Sequence, residues 1–547
     1  MSPEERKPFD QGDIDETFNL NRMNVFEELP RPYGKKILKS KRIYKKKYKR
    51  VGKTFVFDRV RARHVALGCG QRPGLDFLET FSPVAQLASV RVVMAIIAGR
   101  NYVTIQIDIT QAYMHADLEE EIYIELPRNI RKYHKDGRDI VWRLKKALYG
   151  LRQAGACWHA DIDKALRAFG FRASLHDPCI YMLNNNRYCM VLGLYVDDLI
   201  CGSSSDEGLD ELHSYLLRRF QRITRSELTC VLGIEVSKQH DGSYLLHQTS
   251  YLAKLVADYP EAKEFDTPME QNFKISSHDS PKTPAELLAN AGLQRKYATL
   301  VGQLMWPSRA CRPELATAVN ILARFTHAPA QRHYNALLRV VGFVKRYPEM
   351  GLVYPSGANT KDITRDLAAE SKPQYKHQGN ICNRLLAFVD SDHARSEDDR
   401  KSVSGCLIFL GGCAVDWFST KQQLVTVSST EAEYVAMSQM SRHVIFVKGV
   451  VADLGLPQGA VPMFGDNLGS IFLTGHTKVD TSTKAVDVRF HHIRELVATK
   501  QIQVIWIPTT FNLADLLTKP LPPMILFGFL VRFMRLPATK MKLLSAN

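Results

Sequence analysis

The stretch VLGLYVDDLICG, residues 191–202, places two adjacent carboxylates, Asp197 and Asp198, in the middle of an apolar run. Apolar residues on both sides predict a buried strand, a tight turn and a second strand. Two carboxylates about 4 Å apart repel each other by roughly 4 kcal/mol at an effective dielectric of about 20. One interpretation is a surface hairpin turn, because aspartate is a common turn residue. The other is that a positively charged group binds there.

Length, composition and charge limit the class of protein. At 547 residues the chain is too long for a single core, so about two to four domains are expected. A hydrophobic fraction of 45% is typical of a globular protein and not of a disordered one. The net charge of +16 and the pI near 9.3 indicate a polyanionic partner. No membrane partner is expected, because no apolar run approaches the length of a spanning helix.

The N-terminus and the cysteines indicate the compartment. The first residues, MSPEERKPFDQGD, are charged and lack the apolar segment of a secretory signal. Ten cysteines are scattered without a paired C-x-x-C spacing, which argues against a structural zinc site or a disulfide framework. We therefore expect an intracellular protein in a reducing compartment.

Residues 31–53 form a strongly basic segment, with twelve lysines or arginines and no acid. Two interpretations stay open. The segment is a solvated, partly disordered arm, or its interleaved β-forming residues (Ile37, Leu38, Ile43, Tyr44, Tyr48) make a ribbon that presents charge to phosphates.

Two α+β units can be distinguished along the chain. The first extends from 54 to about 250 and contains a hairpin with Asp241-Gly242 as its turn. A largely helical region follows over 290–350, and residues 355–383 are polar and rich in turn formers, typical of a linker. The second unit combines a strand, a hairpin around Gly411-Gly412, a long helix, two further strands and a short acidic helix. Residues 524–534 predict a terminal helix that packs on the body.

Asp108 is a partner for the aspartate pair, because it ends its own β-rich run, VTIQIDI. If the two strands are neighbours, Asp108 and Asp197 converge at one end of a sheet. Carboxylate ligands together with substrate phosphates suit Mg²⁺. Two such ions, roughly 3.5–4 Å apart, can activate one oxygen and stabilise the leaving oxygen in a phosphoryl displacement.

The second unit repeats this theme. Four acids lie at the ends of predicted elements or on the predicted helix: Asp390, Glu433, Asp466 and Asp515. Each alone is typical of a cap or a turn. Together they allow a second two-metal site.

Several sequence blocks resemble the reverse transcriptase and RNase H regions of copia-type LTR retrotransposon polyproteins. The reverse transcriptase blocks are FLETFSPVAQLASVRVVMAIIA, IQIDITQAYMHADLEEEIYIELP, VWRLKKALYGLRQAGACW, LYVDDLI and YATLVGQLMWPSRACRPELATAVNILARF. The RNase H blocks are FVDSDHARSEDDRKSVSGCLIFLGG, VSSTEAEYVAM, GDNLGSI, FHHIREL and NLADLLTKPLP. They occur in the family's order from about residue 20 to residue 522.

The resemblance implies a fold and its division into domains. The fold is α+β and multidomain: a right-hand polymerase with fingers, palm and thumb, then a helical connection and an RNase H-like α/β domain. The implied divisions are an N-terminal tail (1–19), fingers and palm with the primer-grip hairpin (20–270), thumb and connection helices (271–354), a linker (355–383), the RNase H-like domain (384–520) and a C-terminal tail (521–547).

For the polymerase, the resemblance implies that Asp108 and Asp197 are the principal metal ligands and that Asp198 assists. Three further residues resemble nucleotide contacts of the family. Tyr113 resembles the aromatic gate beneath the incoming sugar, Gln153 the glutamine that contacts the nucleotide, and Arg63 a triphosphate-binding arginine, a role that suits its planar group of donors. Residues 231–236, VLGIEV, resemble the hairpin that positions the primer end.

For the nuclease, the resemblance implies that Asp390, Glu433, Asp466 and Asp515 form the RNase H quartet and bind metal. Glu433 fits the family's pattern better than Glu431. Asp392, on the same strand face as Asp390, is an additional candidate ligand. The chain keeps all seven carboxylates of the two implied sites. It departs from the family's sequence pattern at other positions, which are Leu67, Ala154, Gly155, His393, Ser482 and Ala485.

The function implied is that of an RNA-directed DNA polymerase with a fused ribonuclease H. Two Mg²⁺ ions per site are implied, with Mn²⁺ as a substitute. The partners implied are an RNA template, a DNA primer, the RNA–DNA hybrid and dNTPs. A homodimer or an assembly with other proteins of the element stays open, as does the choice between cytoplasmic particles and the nucleus. Two alternatives also stay open: a non-catalytic nucleic-acid-binding remnant, and a polymerase with an inactive nuclease.

Overall fold

The structure is a computed structural model with side chains. It describes residues 2–51, 54–127, 130, 132–360, 362–364, 383–475 and 492–545. Most of the predicted linker, and the departures at Ser482 and Ala485, lie outside these residues. Over the described part of the chain, no helix is long and apolar enough to cross a membrane.

The basic segment is a ribbon. Strands β3 (Ser40–Val51) and β4 (Thr54–Ala66) pair as a two-stranded antiparallel sheet, so the interpretation as a charged ribbon is confirmed over the described residues. In place of the tail predicted over 1–19, helix α1 (Pro3–Arg22) packs against β4. The helix begins with a capping box between Ser2 and Glu5, and Leu20 near its end is fully buried, so the segment has both a start signal and a core contact.

The fingers-like sheet has four strands in the order β1-β7-β6-β2. Their bounds are β1 Phe26–Pro30, β2 Ile37–Leu38, β6 Asp117–Glu125 and β7 Ile140–Lys146. Trp142 on β7 is buried and stacks on Phe26 of β1, with 3.8 Å between the ring centroids. This contact closes a second, smaller core beside the main one.

The palm-like sheet has six strands in the order β12-β5-β11-β10-β9-β8. Their bounds are β5 Val103–Ile109, β8 Arg172–Ala173, β9 Ile180–Asn184, β10 Cys189–Tyr195, β11 Asp198–Ser203 and β12 Ile223–Ser226. The associated helices are α2 Leu87–Gly99, α3 Ala154–Phe169 and α4 Asp206–Phe220. The predicted strand, turn and strand around the aspartate pair are confirmed as β10 and β11.

A third sheet of five strands joins distant parts of the chain in the order β13-β14-β15-β16-β22. Its strands are β13 Cys230–Val231, β14 Ile234–Lys238, β15 Tyr244–His247, β16 Gly351–Tyr354 and β22 Met534–Arg535. The predicted hairpin at Asp241-Gly242 connects β14 and β15, with Gly242 at φ +82°. The predicted C-terminal tail over 521–547 is wrong, because β22 extends this sheet.

The predicted helical region is confirmed. It contains α5 Thr249–Asp258, α6 Pro284–Ala289, α7 Ala291–Ala310, α8 Ala316–Ala323 and α9 Gln331–Arg346. Leu300 of α7, Leu322 of α8 and Leu337 of α9 are fully buried, as expected for apolar spacings of three and four.

The second α+β unit is a five-stranded sheet in the order β19-β18-β17-β20-β21. Its strands are β17 Leu385–Asp392, β18 Val403–Leu410, β19 Cys413–Lys421, β20 Val461–Gly465 and β21 Ile502–Trp506. The first three are antiparallel, and β20 and β21 continue the sheet in parallel with β17. Its helices are α10 Ser429–Asp453, α11 Leu468–Gly475 and α12 His492–Ala498. The predicted acidic helix is a 3₁₀-helix, Leu513–Leu517, followed by α13 (Pro523–Leu530) and α14 (Ala538–Ser545).

The two α+β units share a packed interface centred on Arg91 of α2, which is 2% exposed. Its guanidinium donates to the carbonyl oxygens of Ala310 at 3.2 Å and Val415 at 3.1 Å. It also lies 3.9 Å from the ring centroid of Trp417. Helix α2 thus contacts both the end of α7 and β19 through Arg91. The α+β multidomain fold expected from the sequence is confirmed.

Replacing Arg91 by Ala should lower the free energy of unfolding by about 3 kcal/mol, because buried carbonyls lose their donor and the indole loses its cation. Urea denaturation followed by tryptophan fluorescence measures the change. The control is Arg295→Ala on the exposed side of α7, where about 0.5 kcal/mol or less is expected. Equal losses in the two variants would contradict the assignment.

Candidate active sites

Three carboxylates meet at one end of the palm-like sheet. Strands β5 and β11 are antiparallel neighbours, and their register sets Asp198 opposite Asp108. The amide of Ile109 donates to the carbonyl oxygen of Asp197 at 2.9 Å, which fixes the turn beside the end of β5. Asp108 and Asp197, which the sequence predicts to converge, therefore lie at the same end of the sheet.

The repulsion expected between these carboxylates contributes to raised pKa values of Asp108 and Asp198. Burial, and then the charge of Asp197, raise the pKa of Asp108 above its ordinary value. Burial, and then Asp197 and Asp108, raise the pKa of Asp198. A cation bound among the three would offset this cost.

The turn that carries Asp197 is held by a residue that sequence reasoning missed. Val196 has φ +56°, and a β-branched residue with positive φ is a backbone outlier of the kind found at functional sites. The indole N–H of Trp158, on α3, donates to the carbonyl oxygen of Val196 at 2.6 Å. Nothing in the helical pattern around Trp158 distinguishes it from an ordinary core tryptophan.

The cationic ribbon faces this cluster. Arg61 of β4 and Lys47 of β3 are close enough to lower the pKa of Asp108. A cavity of about 510 Å³ lies between the ribbon, α1 and the end of β5, and its lining includes Arg59, Arg61 and Asp108. The space beside Asp108 is thus bordered by arginines as well as by the acids Asp15 and Glu16.

Two of the three predicted nucleotide contacts lie beside the same cluster. The guanidinium of Arg63 is 4.7 Å from the ring centroid of Tyr149, and that ring is 5.2 Å from the ring of Tyr113. Burial and the charge of Asp197 raise the pKa of Tyr113. The Nε of Arg63 is buried without a hydrogen-bond partner among the described residues. Tyr149 was not predicted.

The third predicted contact, Gln153, has a different environment. It is buried, and its amide oxygen accepts from Gln71 at 2.9 Å. Its amide nitrogen donates to the carbonyl oxygen of Asp76 at 3.0 Å and to Glu120 at 3.3 Å. Both of its N–H groups are used within the protein, so its role as a nucleotide contact stays a prediction.

The second α+β unit contains the other cluster. Asp390 lies on β17, Asp466 directly follows β20, and Asp515 lies on the 3₁₀-helix. Each offers one oxygen within 4.8 Å of the others. Glu433 of α10 completes the set, since its carboxylate accepts from the amide of Ser391 at 3.1 Å and the charge of Asp390 acts on it. All four predicted acids are brought together.

The electrostatics of this cluster fit a cation. Burial, and then Asp390, raise the pKa of Asp515 to about 8. Burial, Asp390 and Asp466 raise the pKa of Glu433 well above its ordinary value. The Oε2 of Glu433 is buried and has no hydrogen-bond partner among the described residues. Carboxylate oxygens are the ligands that Mg²⁺ prefers, and this cluster supplies several of them.

Two alternative acids are used differently. Glu431 accepts from the amide of Val427 at 2.7 Å at the start of α10, so its carboxylate is a local cap. Asp392 accepts from the amide of Val403, and burial raises its pKa to about 7. Asp392 lines a separate cavity of about 360 Å³ with Arg324 and Arg395, and it is not one of the three closely grouped carboxylates.

Comparisons with known proteins find a matching family and relatives that are similar over most of the chain. Residues 23–271 match the family described as reverse transcriptase (RNA-dependent DNA polymerase). The chain is 30% identical over 513 residues to the retrovirus-related Pol polyprotein from transposon TNT 1-94 of Nicotiana tabacum, which covers 93% of this chain and 36% of the polyprotein. It is 31% identical over 495 residues to the retrovirus-related Pol polyprotein from transposon RE2 of Arabidopsis thaliana. This alignment covers 90% of this chain and 31% of that polyprotein.

A solved structure, the foamy viral protease-reverse transcriptase dRH in complex with ds DNA, has a TM-score of 0.44 and 10% identity, covering 90% of this chain and 68% of that one. The chain spans about a third of the length of the curated polyproteins that it matches. The segment that matches the reverse transcriptase family, residues 23–271, carries Asp108, Asp197 and Asp198.

Proposed function

We propose that the chain is an RNA-directed DNA polymerase of a copia-type retrotransposon, with a fused ribonuclease H that hydrolyses RNA in RNA–DNA hybrids. The observation that carries the proposal is the convergence of Asp108, Asp197 and Asp198 at one sheet end, opposite a cationic ribbon. Carboxylates that face cations across a cleft suit a reaction between a hydroxyl group and a triphosphate.

Asp108 and Asp197 would hold two Mg²⁺ ions, with Asp198 assisting, and Mn²⁺ would substitute for Mg²⁺. The bound metal supplies activation of the primer 3′-hydroxyl and charge stabilisation of the leaving pyrophosphate. The chain's own part is to fix the two strands in register, so that the carboxylates face one place. The primer hydroxyl then attacks the α-phosphate of a dNTP, and pyrophosphate leaves.

The nucleotide and the nucleic acid are bound by separate groups. Arg63, with its unpartnered Nε, and Arg61 would bind the triphosphate, because guanidinium groups donate to several phosphate oxygens. Tyr113 would lie beneath the sugar and exclude a 2′-hydroxyl, and Gln153 is proposed as a further nucleotide contact. The exposed cations of the ribbon would hold the RNA template, the DNA primer and their hybrid by backbone phosphates, with weak sequence preference and strong salt dependence.

The nuclease reaction would use the second cluster. Asp390, Glu433, Asp466 and Asp515 would hold the metal ions that activate water toward the RNA strand. We expect the protein to act inside the cell, alone, as a homodimer or with other proteins of the element. Two alternatives remain. The chain is a nucleic-acid-binding remnant without catalysis, or it is a polymerase with an inactive nuclease. The following tests distinguish both from the proposal.

The polymerase proposal predicts primer extension on an RNA template with a DNA primer, Mg²⁺ and dNTPs. The Asp197→Asn variant should lose at least about 10³-fold in rate, because one carboxylate ligand of the metal is removed. The control is Asp258→Asn at the exposed end of α5, which should extend like the parent. A folded parent that binds the hybrid but extends no primer in Mg²⁺ or Mn²⁺ would favour the remnant.

The nuclease proposal predicts cleavage of the RNA strand in a labelled RNA–DNA hybrid. Asp466→Asn should abolish cleavage and leave primer extension unchanged, because Asp466 belongs to the second cluster alone. Gel analysis of the labelled RNA measures both reactions on the same preparation. Extension without any cleavage by the parent would identify a polymerase with an inactive nuclease.

The raised pKa of Asp515 predicts how stability depends on pH without metal. An acid whose pKa is raised by folding stabilises the fold when protonated, and this contribution is lost as the pH rises toward its folded pKa of about 8. Asp515→Asn should therefore gain stability relative to the parent, by about 1–3 kcal/mol, between pH 5.5 and pH 8.5. Urea midpoints in EDTA at the two pH values measure the difference. A difference that stays constant would contradict the raised pKa.

A further inference from the structure

Lys519 lies in the second carboxylate cluster, and neither the sequence motifs nor the comparisons assign it a role. Its Nζ is 2.9 Å from Oδ1 of Asp515. The charges of Asp390, Asp515 and Asp466 all act on it. All three belong to the group whose oxygens lie within 4.8 Å of one another. The ammonium group therefore occupies space beside the proposed metal position.

The backbone holds Lys519 in this place. The 3₁₀-helix ends at Leu517, and the amide of Lys519 donates to the carbonyl oxygen of Asp515 at 3.2 Å. The hydroxyl of the preceding residue, Thr518, donates to Asp390. One short turn thus supplies a carboxylate, a hydroxyl donor and a cation to the same cluster. The Lys519 side chain is 31% exposed.

We propose that Lys519 is the built-in counter-cation of this cluster, which neutralises part of its charge without metal and gives up Asp515 when a metal ion binds. The proposal rests on the proposed nuclease centre. The cluster combines four acidic residues with the one ammonium of Lys519, so carboxyl oxygens remain for a metal ion. The ammonium and the metal ion therefore compete for the carboxylate of Asp515.

This competition predicts an effect opposite to that of an ordinary supporting residue. Removing the charge of Lys519 should tighten metal binding, because the metal ion no longer displaces a cation from Asp515. The same change should destabilise the metal-free chain, because the carboxylates lose their partner. A residue that only supported the fold would weaken both properties.

The test measures Mg²⁺ and Mn²⁺ binding by calorimetry on the full chain in an Asp197→Asn background, so that the first cluster is weakened. Lys519→Gln should bind about tenfold more tightly than the background chain and unfold at a lower temperature in EDTA. Lys519→Arg should bind more weakly, because a planar guanidinium holds a carboxylate with two donors and is harder to displace. If the glutamine variant does not fold, the metal affinity of the arginine variant still tests the proposal.

The matched control is Lys421→Gln in the same α+β unit. Lys421 forms an ion pair with Asp399 at 2.8 Å, and its side chain is 26% exposed, close to the values for Lys519. This control should leave metal affinity unchanged. Equal or weaker binding by Lys519→Gln, or equal or tighter binding by Lys519→Arg, overturns the proposal while the nuclease centre stands. A background chain that binds no metal at this cluster overturns the centre and, with it, the role of Lys519.

Discussion

The pairing of β5 with β11 brings like charges together at one end of the palm-like sheet, and apolar burial holds that pairing. Leu199 lies opposite Ile107, one register position from the pair of Asp198 and Asp108, and both apolar side chains are fully buried. A slip of one residue would turn these apolar side chains out of the core. The core therefore enforces a register that the carboxylates alone would oppose.

Both carboxylate clusters face cations, but the cations come from different places. At the first cluster they come from a ribbon distant in sequence, where Arg61 and Lys47 act on Asp108. At the second cluster a single turn supplies both the carboxylate of Asp515 and the ammonium of Lys519. The cations at the first cluster thus lie on a separate ribbon, whereas the cation at the second cluster belongs to the same turn as one of its carboxylates.

The second α+β unit packs on the rest of the chain through buried side chains whose polar groups are hydrogen-bonded. Besides the contacts of Arg91, the indole N–H of Trp417 donates to the carbonyl oxygen of Ser308 at 2.7 Å, and the hydroxyl of Tyr354 donates to that of Ala414 at 2.6 Å. Each donor is satisfied across the interface, so separating the units would leave several buried polar groups unpaired. Buried hydrogen bonds thus join β19 of the second unit to α2 and α7.

The sequence by itself determined the local elements and the identity of the acids. Alternating and helical apolar patterns predicted the hairpins at Asp241-Gly242 and Gly411-Gly412 and the helices of 290–350, because these depend on neighbours along the chain. Motif blocks predicted the seven carboxylates, all of which the structure groups into two clusters.

Only the tertiary structure decided which distant groups meet. The pairing of β22 with β16, the hydrogen bond from Trp158 to Val196, and the place of Lys519 among the carboxylates depend on contacts between segments or across a turn that no local pattern encodes. The burial of Gln153 among Gln71, Asp76 and Glu120 has the same origin. Such contacts follow from how the whole chain packs, since each side chain's partner is set by the register and burial of elements far away in sequence.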